Sequence, residues 1–263
     1  MEATRPLVFE NRAAAGKPDD HRRPSGYCPF CDVDHLTDII AREDDRIWLM
    51  NKYRTLRDTV QTVVVESAEH DGELSRYPRE QCRAIIRFAL SCWDQMIASG
   101  EYRSVLMYKN FGPLSGGSLN HPHLQVVGLV HDDGYANVVP ENLDGLPVFA
   151  HGGVEVTVST KPIMGFFEVN IAMPRAAGPQ TRDAFADAIH VTTWYLLNEH
   201  HGGRATSYNL FFYHMAGKTI CKALPRWVAS PYFIGYKLAQ VNSPERLEDD
   251  ARALRRLLET GVR

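Results

Sequence analysis

The sequence predicts an α+β fold of antiparallel sheets with packed helices, in which strand, helix and strand follow one another twice. Three observations carry this expectation. Residues 59–66 hold the β-branched run Val60, Val63, Val64 and Val65, which suits a pleated, half-buried strand. Cys82, Ile85, Ile86, Ala89, Trp93, Met96 and Ile97 recur at helical spacing until Gly100 stops the run. The second half then repeats the order, with strands over 154–160 and 165–172, a helix over 181–199 and a strand over 207–214.

In chain order, residues 1–27 are rich in Arg, Pro, Gly and Asp and read as an extended N-terminal arm. Residues 47–51 form the first predicted strand and 59–66 the second. Pro78 sits where a first helical turn tolerates it, so the helix begins there. A strand over 104–109, a loop over 110–120 and a strand reaching about residue 130 complete the first unit, residues 28–135. Residues 130–153, rich in Gly, Asp, Asn and Pro, read as a linker. In the second unit, residues 154–263, Phe185, Ile189 and Leu196 mark the core face of its helix. Residues 226–238 supply a last strand, and Pro244 opens a charged helix ending near Thr260.

Composition narrows the function classes. The 263 residues suit one large domain or two small ones sharing a core. A hydrophobic fraction of 44% and a charged fraction of 23% are ordinary for a globular protein. The formal charge of −3 offers no basic surplus for a phosphate backbone, so no nucleic-acid partner is expected. No apolar run approaches the roughly 18 residues of a membrane span, and the N-terminus lacks a signal-peptide layout. The expectation is no membrane partner and a cytoplasmic address. Five cysteines, an odd number, fit a reducing compartment better than a disulfide framework.

The chemistry concentrates in the run Ser115-Gly-Gly-Ser-Leu-Asn-His121-Pro-His123-Leu-Gln125. On an extended strand residues i, i+2 and i+4 share a face, so His121, His123 and Gln125 are expected to project together behind a glycine-rich loop. Upstream, Cys28-Pro-Phe-Cys31 is half of a tetrahedral zinc site, a redox pair or two unligated thiols. His35, His70, His121 and His123 are the candidate partners, and His70 is expected at the end of a rigid strand.

Cys28-Pro-Phe-Cys31, Ser67-Ala-Glu-His70, the run from Asn110-Phe-Gly112 to Gln125, and Tyr232-Phe-Ile-Gly235-Tyr236-Lys237 occur together and in one order. This combination resembles the galactose-1-phosphate uridylyltransferase family of the histidine triad superfamily. The resemblance implies two tandem histidine-triad-like units, the second degenerate. It also implies one structural zinc held by Cys28, Cys31, His70 and His121, with His123 as nucleophile. A four-ligand shell leaves no open position, so such an ion fixes geometry and does not activate water. His123 would attack the α-phosphorus of a nucleoside diphosphate conjugate and pass the nucleotide to a phosphorylated acceptor. Gln125 would donate its amide to the leaving or attacking oxygen, while Ser118 and the backbone N–H groups of Gly116 and Gly117 would stabilise charge on the phosphoryl oxygens. Asn110 would orient the loop or contact phosphate, and Phe30, Asn51 and Tyr53 would meet the nucleoside. For Phe30 and Tyr53 the alternative is core packing, and for Asn51 a turn. Tyr236 and Lys237 would approach the substrate, and a homodimer follows from the family alone.

Departures limit the implied substrate. Lys237 replaces a family carboxylate that binds sugar hydroxyls, Pro231 replaces a family lysine, and Lys52 stands where Asp is common in the nucleoside segment. A hexose pocket and a uridine preference are therefore not expected. The family's second metal site uses histidines where this chain reads Leu224-Pro-Arg226, so no second metal is expected. A phosphorylase or hydrolase, with phosphate or water as acceptor, is the alternative activity, and a catalytically idle nucleotide-binding regulator is a further one.

Overall fold

The computed structural model describes residues 6–20 and 26–262, so parts of the predicted arm, residues 1–5 and 21–25, lie outside the described residues. The chain divides into two compact units. The first comprises the described residues up to Gly72 with Ile85–Lys109 and Gly116–Asn137. The second comprises Glu73–Ala84, Asn110–Ser115 and the described residues from Val138 onward.

The first unit contains α1 (Asn11–Ala14), β1 (Ile39–Glu43), β2 (Arg46–Met50), β3 (Thr59–Val65), most of α2 (Arg79–Ala98), β4 (Ser104–Phe111) and β5 (His123–Leu129). Its strands run antiparallel in the order β1-β2-β3-β5-β4. β5 is therefore interior, and its register is fixed on both sides. Val65 pairs with His123, Val63 with Gln125, and Gln125 with Tyr108. Because alternate residues point to opposite faces, His123 and Gln125 share a face with Val63 and Val65. That face meets Phe30, Ile47 and Leu49 in a buried cluster, with Cys28 and Leu119 against it.

The opposite face carries Val64, Leu124 and Lys109, all fully buried. The Lys109 ammonium donates to the Glu66 carboxylate, and neither side chain is exposed. α2 is anchored nearby, where the fully buried Trp93 gives its indole N–H to the Val105 carbonyl at 2.9 Å.

The second unit follows the same plan, with β6 (Gly145–His151), β7 (Val154–Ser159), β8 (Gly165–Phe166), β9 (Val169–Pro174), α3 (Pro179–Asn198), β10 (Tyr208–Met215), β11 (Lys218–Pro225), α4 (Pro231–Tyr236), β12 (Gln240–Val241) and α5 (Pro244–Thr260). Its main strands run antiparallel in the order β10-β11-β9-β7-β6, and β8 pairs parallel with β12. It too holds a buried ion pair, Lys222 with Glu168 at 2.7 Å.

Several elements differ from their predicted form. The last main strand of the second unit is β11 and not residues 226–238, which contain α4. The start and stop signals are local: Ser230 accepts the Tyr232 N–H, Pro231 occupies the first turn, and Lys237 closes the helix at φ 54°. β11 returns from β10 through Ala216-Gly217, both at positive φ, a two-residue turn that matches hairpin twist. The predicted linker contains the edge strand β6. Gly145 is needed there because a Cβ would lie 2.0 Å from the Val158 carbonyl oxygen, and Pro147 sits beside a register shift that an edge strand tolerates. β1, a short and partly exposed edge strand, had no clear sequence signal. The arm contains the turn α1, and Phe9 bridges to Leu56. Among the described residues no helix is long and apolar enough to cross a membrane.

Lys109→Met leaves the buried Glu66 charge without its ammonium and is expected to destabilise the fold by about 3–5 kcal/mol in urea denaturation. The double variant Lys109→Met, Glu66→Leu should recover most of that loss, because both charges are then gone. A single variant as stable as the parent would contradict this role for the pair.

Candidate active site and metal centre

The first unit brings Cys28, Cys31, His70 and His121 together. Their ligand atoms, two Sγ and two ring nitrogens, all lie within 4.8 Å of one another. Cys28 and Cys31 begin one turn, in which the Cys31 N–H bonds the Cys28 carbonyl at 3.2 Å. His70 lies in a turn beyond β3 and does not end that strand as expected, and His121 lies two residues before β5 and not on it. Pro122 explains the second difference, since it supplies no N–H and the ladder starts at His123.

The distances suit a tetrahedral ion. His121 Nδ1 is 3.5 Å from Cys28 Sγ and 3.4 Å from Cys31 Sγ, and His70 Nδ1 is 3.4 Å from Cys31 Sγ. Bonds of about 2.3 Å to sulfur and 2.0–2.1 Å to nitrogen at tetrahedral angles put S and N about 3.5 Å apart. Burial pushes the Cys28 thiol up to about 11, so a bound cation would supply the charge that makes its thiolate stable.

The two histidines of the His-x-His run are oriented oppositely. His121, fully buried, turns Nε2 to the Ser67 carbonyl at 2.9 Å, which makes Nε2 the protonated nitrogen and directs the Nδ1 lone pair to the cysteines. His123 turns Nδ1 to the His121 carbonyl at 2.8 Å, which protonates Nδ1 and leaves the lone pair on Nε2. Burial lowers the His123 pKa to about 4, so the ring is neutral at pH 7. One imidazole thus faces the cysteine cluster, and the other keeps its Nε2 unprotonated.

Gln125 is fixed by its neighbour in register. Its Oε1 accepts the Tyr108 hydroxyl at 2.9 Å, and burial pushes that hydroxyl up to about 12, so it remains a donor. The Gln125 amide nitrogen is then the group left to donate.

The loop before His121 is glycine-rich for a conformational reason: Gly116 has φ 88°, although a side chain there would meet nothing within 4 Å. The arm reaches this loop. The Asp20 N–H donates to the Ser118 carbonyl at 2.7 Å, and the Asn120 N–H donates to the Asp20 carboxylate at 3.1 Å. Ser118 and Gly117 lie half-buried in the same loop.

The other predicted residues are distributed as follows. Phe30 is 8% exposed and packs in the core cluster, with its ring edge-on to His121 and His123 at 5.7 and 5.5 Å, so it walls the histidines. Asn51 makes a turn, its Oδ1 accepting the Tyr53 N–H at 2.8 Å, and Tyr53 is half-buried. Asn110, Tyr236 and Lys237 belong to the second unit. Asn110 Oδ1 accepts from the Asn209 amide at 2.6 Å, while Tyr236 and Lys237 are exposed at the end of α4. Tyr108 was not singled out from sequence. Its signal is faint, because an aromatic on a strand reads as core until register pairs it with Gln125.

Long-range proton–nitrogen NMR checks the two tautomers. At pH 7, His123 is expected as the Nδ1–H form and His121 as the Nε2–H form. The same tautomer at both residues would remove the basis for assigning them different tasks.

Two sequence families match the chain: the N-terminal domain of the Domain of unknown function DUF4931 over residues 9–131, and its C-terminal domain over residues 135–257. No curated protein matches. A uridylyltransferase structure has a TM-score of 0.68 at 19% identity, covering 92% of this chain and 94% of its own. An ADP-glucose phosphorylase from Arabidopsis thaliana, solved with bound ADP-glucose, has a TM-score of 0.69 at 14% identity, covering 94% of this chain and 98% of its own. These likenesses show the fold, two tandem units of antiparallel sheet with packed helices, as expected. The crystal structure of a DUF4931 family protein from Bacillus cereus ATCC 10987 is 40% identical, with a TM-score of 0.74, over 83% of this chain and 98% of its own. With matches spanning both halves and a solved relative at this identity, the chain belongs to the DUF4931 family.

Proposed function

We propose that the chain is a nucleotidyltransferase, moving a nucleoside monophosphate from a nucleoside diphosphate conjugate to a phosphate-bearing acceptor through a nucleotidyl-His123 intermediate. The observation that carries this reading is the His123 Nδ1–H bond to the His121 carbonyl, which leaves a neutral ring with its Nε2 lone pair free. The uridylyltransferase and phosphorylase folds agree with a nucleotide-handling enzyme.

In the first step Nε2 attacks the α-phosphorus. A P–N bond forms, the bond to the bridging oxygen breaks, and the departing phosphate takes the electron pair. The Gln125 amide donates to the oxygen that carries the developing charge, and its bond to Tyr108 holds it in place. Ser118 and the Gly116 and Gly117 N–H groups serve the equatorial oxygens. In the second step an acceptor phosphate oxygen attacks the same phosphorus and restores the free imidazole. Phe30 keeps the histidine face dry, and Asn51 with Tyr53 borders the nucleoside side.

Zinc would be held by Cys28, Cys31, His70 and His121, and its closed shell supplies rigidity alone. A ligated His121 cannot rotate, so its carbonyl stays aimed at His123. The exposed Tyr232, Ile234, Tyr236 and Leu238 on and beside α4 form an apolar surface, which supports a homodimer. Lys237, where the galactose-1-phosphate uridylyltransferase family has a carboxylate, fits an anionic acceptor better than a sugar.

Intact-mass spectrometry after incubation with uridine, adenosine, guanosine, cytidine and thymidine diphosphate conjugates tests the mechanism. One donor is expected to add a nucleoside monophosphate, and the adduct should disappear in His123→Asn with turnover down by about 10³-fold or more. Undiminished turnover in that variant would sink the proposal. Adding inorganic phosphate or a sugar phosphate then shows which acceptor discharges the adduct.

Elemental analysis tests the metal separately, with one zinc per chain expected. Cys28→Ser should lose the metal and lower Tm, whereas His123→Asn should keep both. Metal-free protein with an unchanged Tm would rule out a structural ion.

A further inference from the structure

The second unit contains a cavity of about 480 Å³, within the range of small-ligand sites, that the proposed chemistry leaves unused. Phe166, Phe167 and Trp227 form apolar walls, and His200, Arg204 and Asn242 bring polar groups to it. Phe166 and Trp227 are 44% and 37% exposed, so their rings are open to a ligand.

The cavity is built on a rigid base. Glu168 accepts the backbone N–H groups of Ile163 and Met164, both at 2.9 Å, and pairs with the buried Lys222, which fixes the segment carrying Phe166 and Phe167. His200 is 1% exposed, and the Phe167 ring stacks on it with centroids 4.4 Å apart. Its Nδ1 faces the Asp250 carboxylate at 3.3 Å, and the same oxygen also accepts from the Tyr195 hydroxyl at 2.7 Å and from Arg246 at 3.0 Å. These contacts hold the His200 ring in place beside Phe167.

Two further groups are uncommitted. The Asn242 amide nitrogen is buried with no hydrogen-bond partner, which carries a desolvation cost that a ligand acceptor would remove. Arg204 gives its Nε–H to the His201 carbonyl at 2.9 Å and has no carboxylate partner among the described residues. An aromatic surface with a free guanidinium and a free amide donor calls for a flat ring bearing negative charge.

We propose that this cavity binds a planar aromatic molecule carrying an anionic group, with its ring against Phe166 and Trp227 and its anion on Arg204 and Asn242. The anion could belong to an aromatic carboxylate or to a nucleoside monophosphate, and the test separates them. It does not depend on chemistry at His123.

Full-length protein carrying 5-fluorotryptophan is titrated with indole-3-acetate, with UMP and with uncharged 3-methylindole, and followed by fluorine NMR. The Trp227 resonance is assigned with Trp227→Phe. Indole-3-acetate or UMP is expected to shift that resonance saturably while the buried Trp48 and Trp93 signals stay in place. Arg204→Gln, at an exposed position, should weaken this binding by about tenfold, and 3-methylindole should bind at least as weakly. The outcome is expected to be unchanged in His123→Asn. No shift of Trp227 with either anion would overturn the proposal, as would binding that is the same in Arg204→Gln or with 3-methylindole.

Discussion

The bond from His121 Nε2–H to the Ser67 carbonyl decides the chemistry of both histidines in the first unit. It turns the His121 Nδ1 lone pair to the cysteine cluster and fixes the ring plane. A second bond, from the Glu66 N–H to the Pro122 carbonyl at 3.1 Å, clamps the same two segments from the other side. The His121 carbonyl lies just outside the strand ladder, so it is free to accept from His123. Each ring therefore has its tautomer imposed by a backbone carbonyl, and backbone geometry varies less than side-chain geometry.

The sheet that carries this arrangement has two different faces. One holds the Lys109–Glu66 pair among fully buried apolar residues, and the other presents His123 and Gln125 beside the Phe30 cluster. A one-residue slip of β5 would exchange these faces and put Leu124 where His123 stands. Pairing on both sides, to β3 and to β4, prevents that slip. Burial of the ion pair brings no evident net gain in stability, but it makes loss of either partner costly and so ties the fold to one register.

The second unit follows the same plan with different loops. Where residues 112–122 form a loop between β4 and β5, only the turn Ala216-Gly217 joins β10 to β11. No glycine-rich loop is available there to present backbone donors. Its strands and helices instead hold the Glu168–Lys222 pair and the His200–Asp250 contact near an aromatic-walled cavity. The fold is thus a frame on which the two halves carry different loops and polar pairs.

By itself the sequence determined the doubled strand–helix–strand order, the helices α2, α3 and α5, and the combination of two thiols, three histidines and a glutamine. Those features rest on periodicity, caps and close spacing, which are local. It did not reveal β1, β6 or β11, because edge strands and a strand interrupted by Lys222 carry a weak local signal and are held by pairing with their neighbours. It also read residues 226–238 as strand, although Ser230 and Pro231 already marked a helix start. Tertiary structure alone decided which nitrogen of each histidine is free, that Phe30 walls the histidines, and that Tyr108 holds Gln125. Those outcomes depend on the Ser67 and His121 carbonyls and on strand register, and no spacing in the sequence encodes where a carbonyl will point.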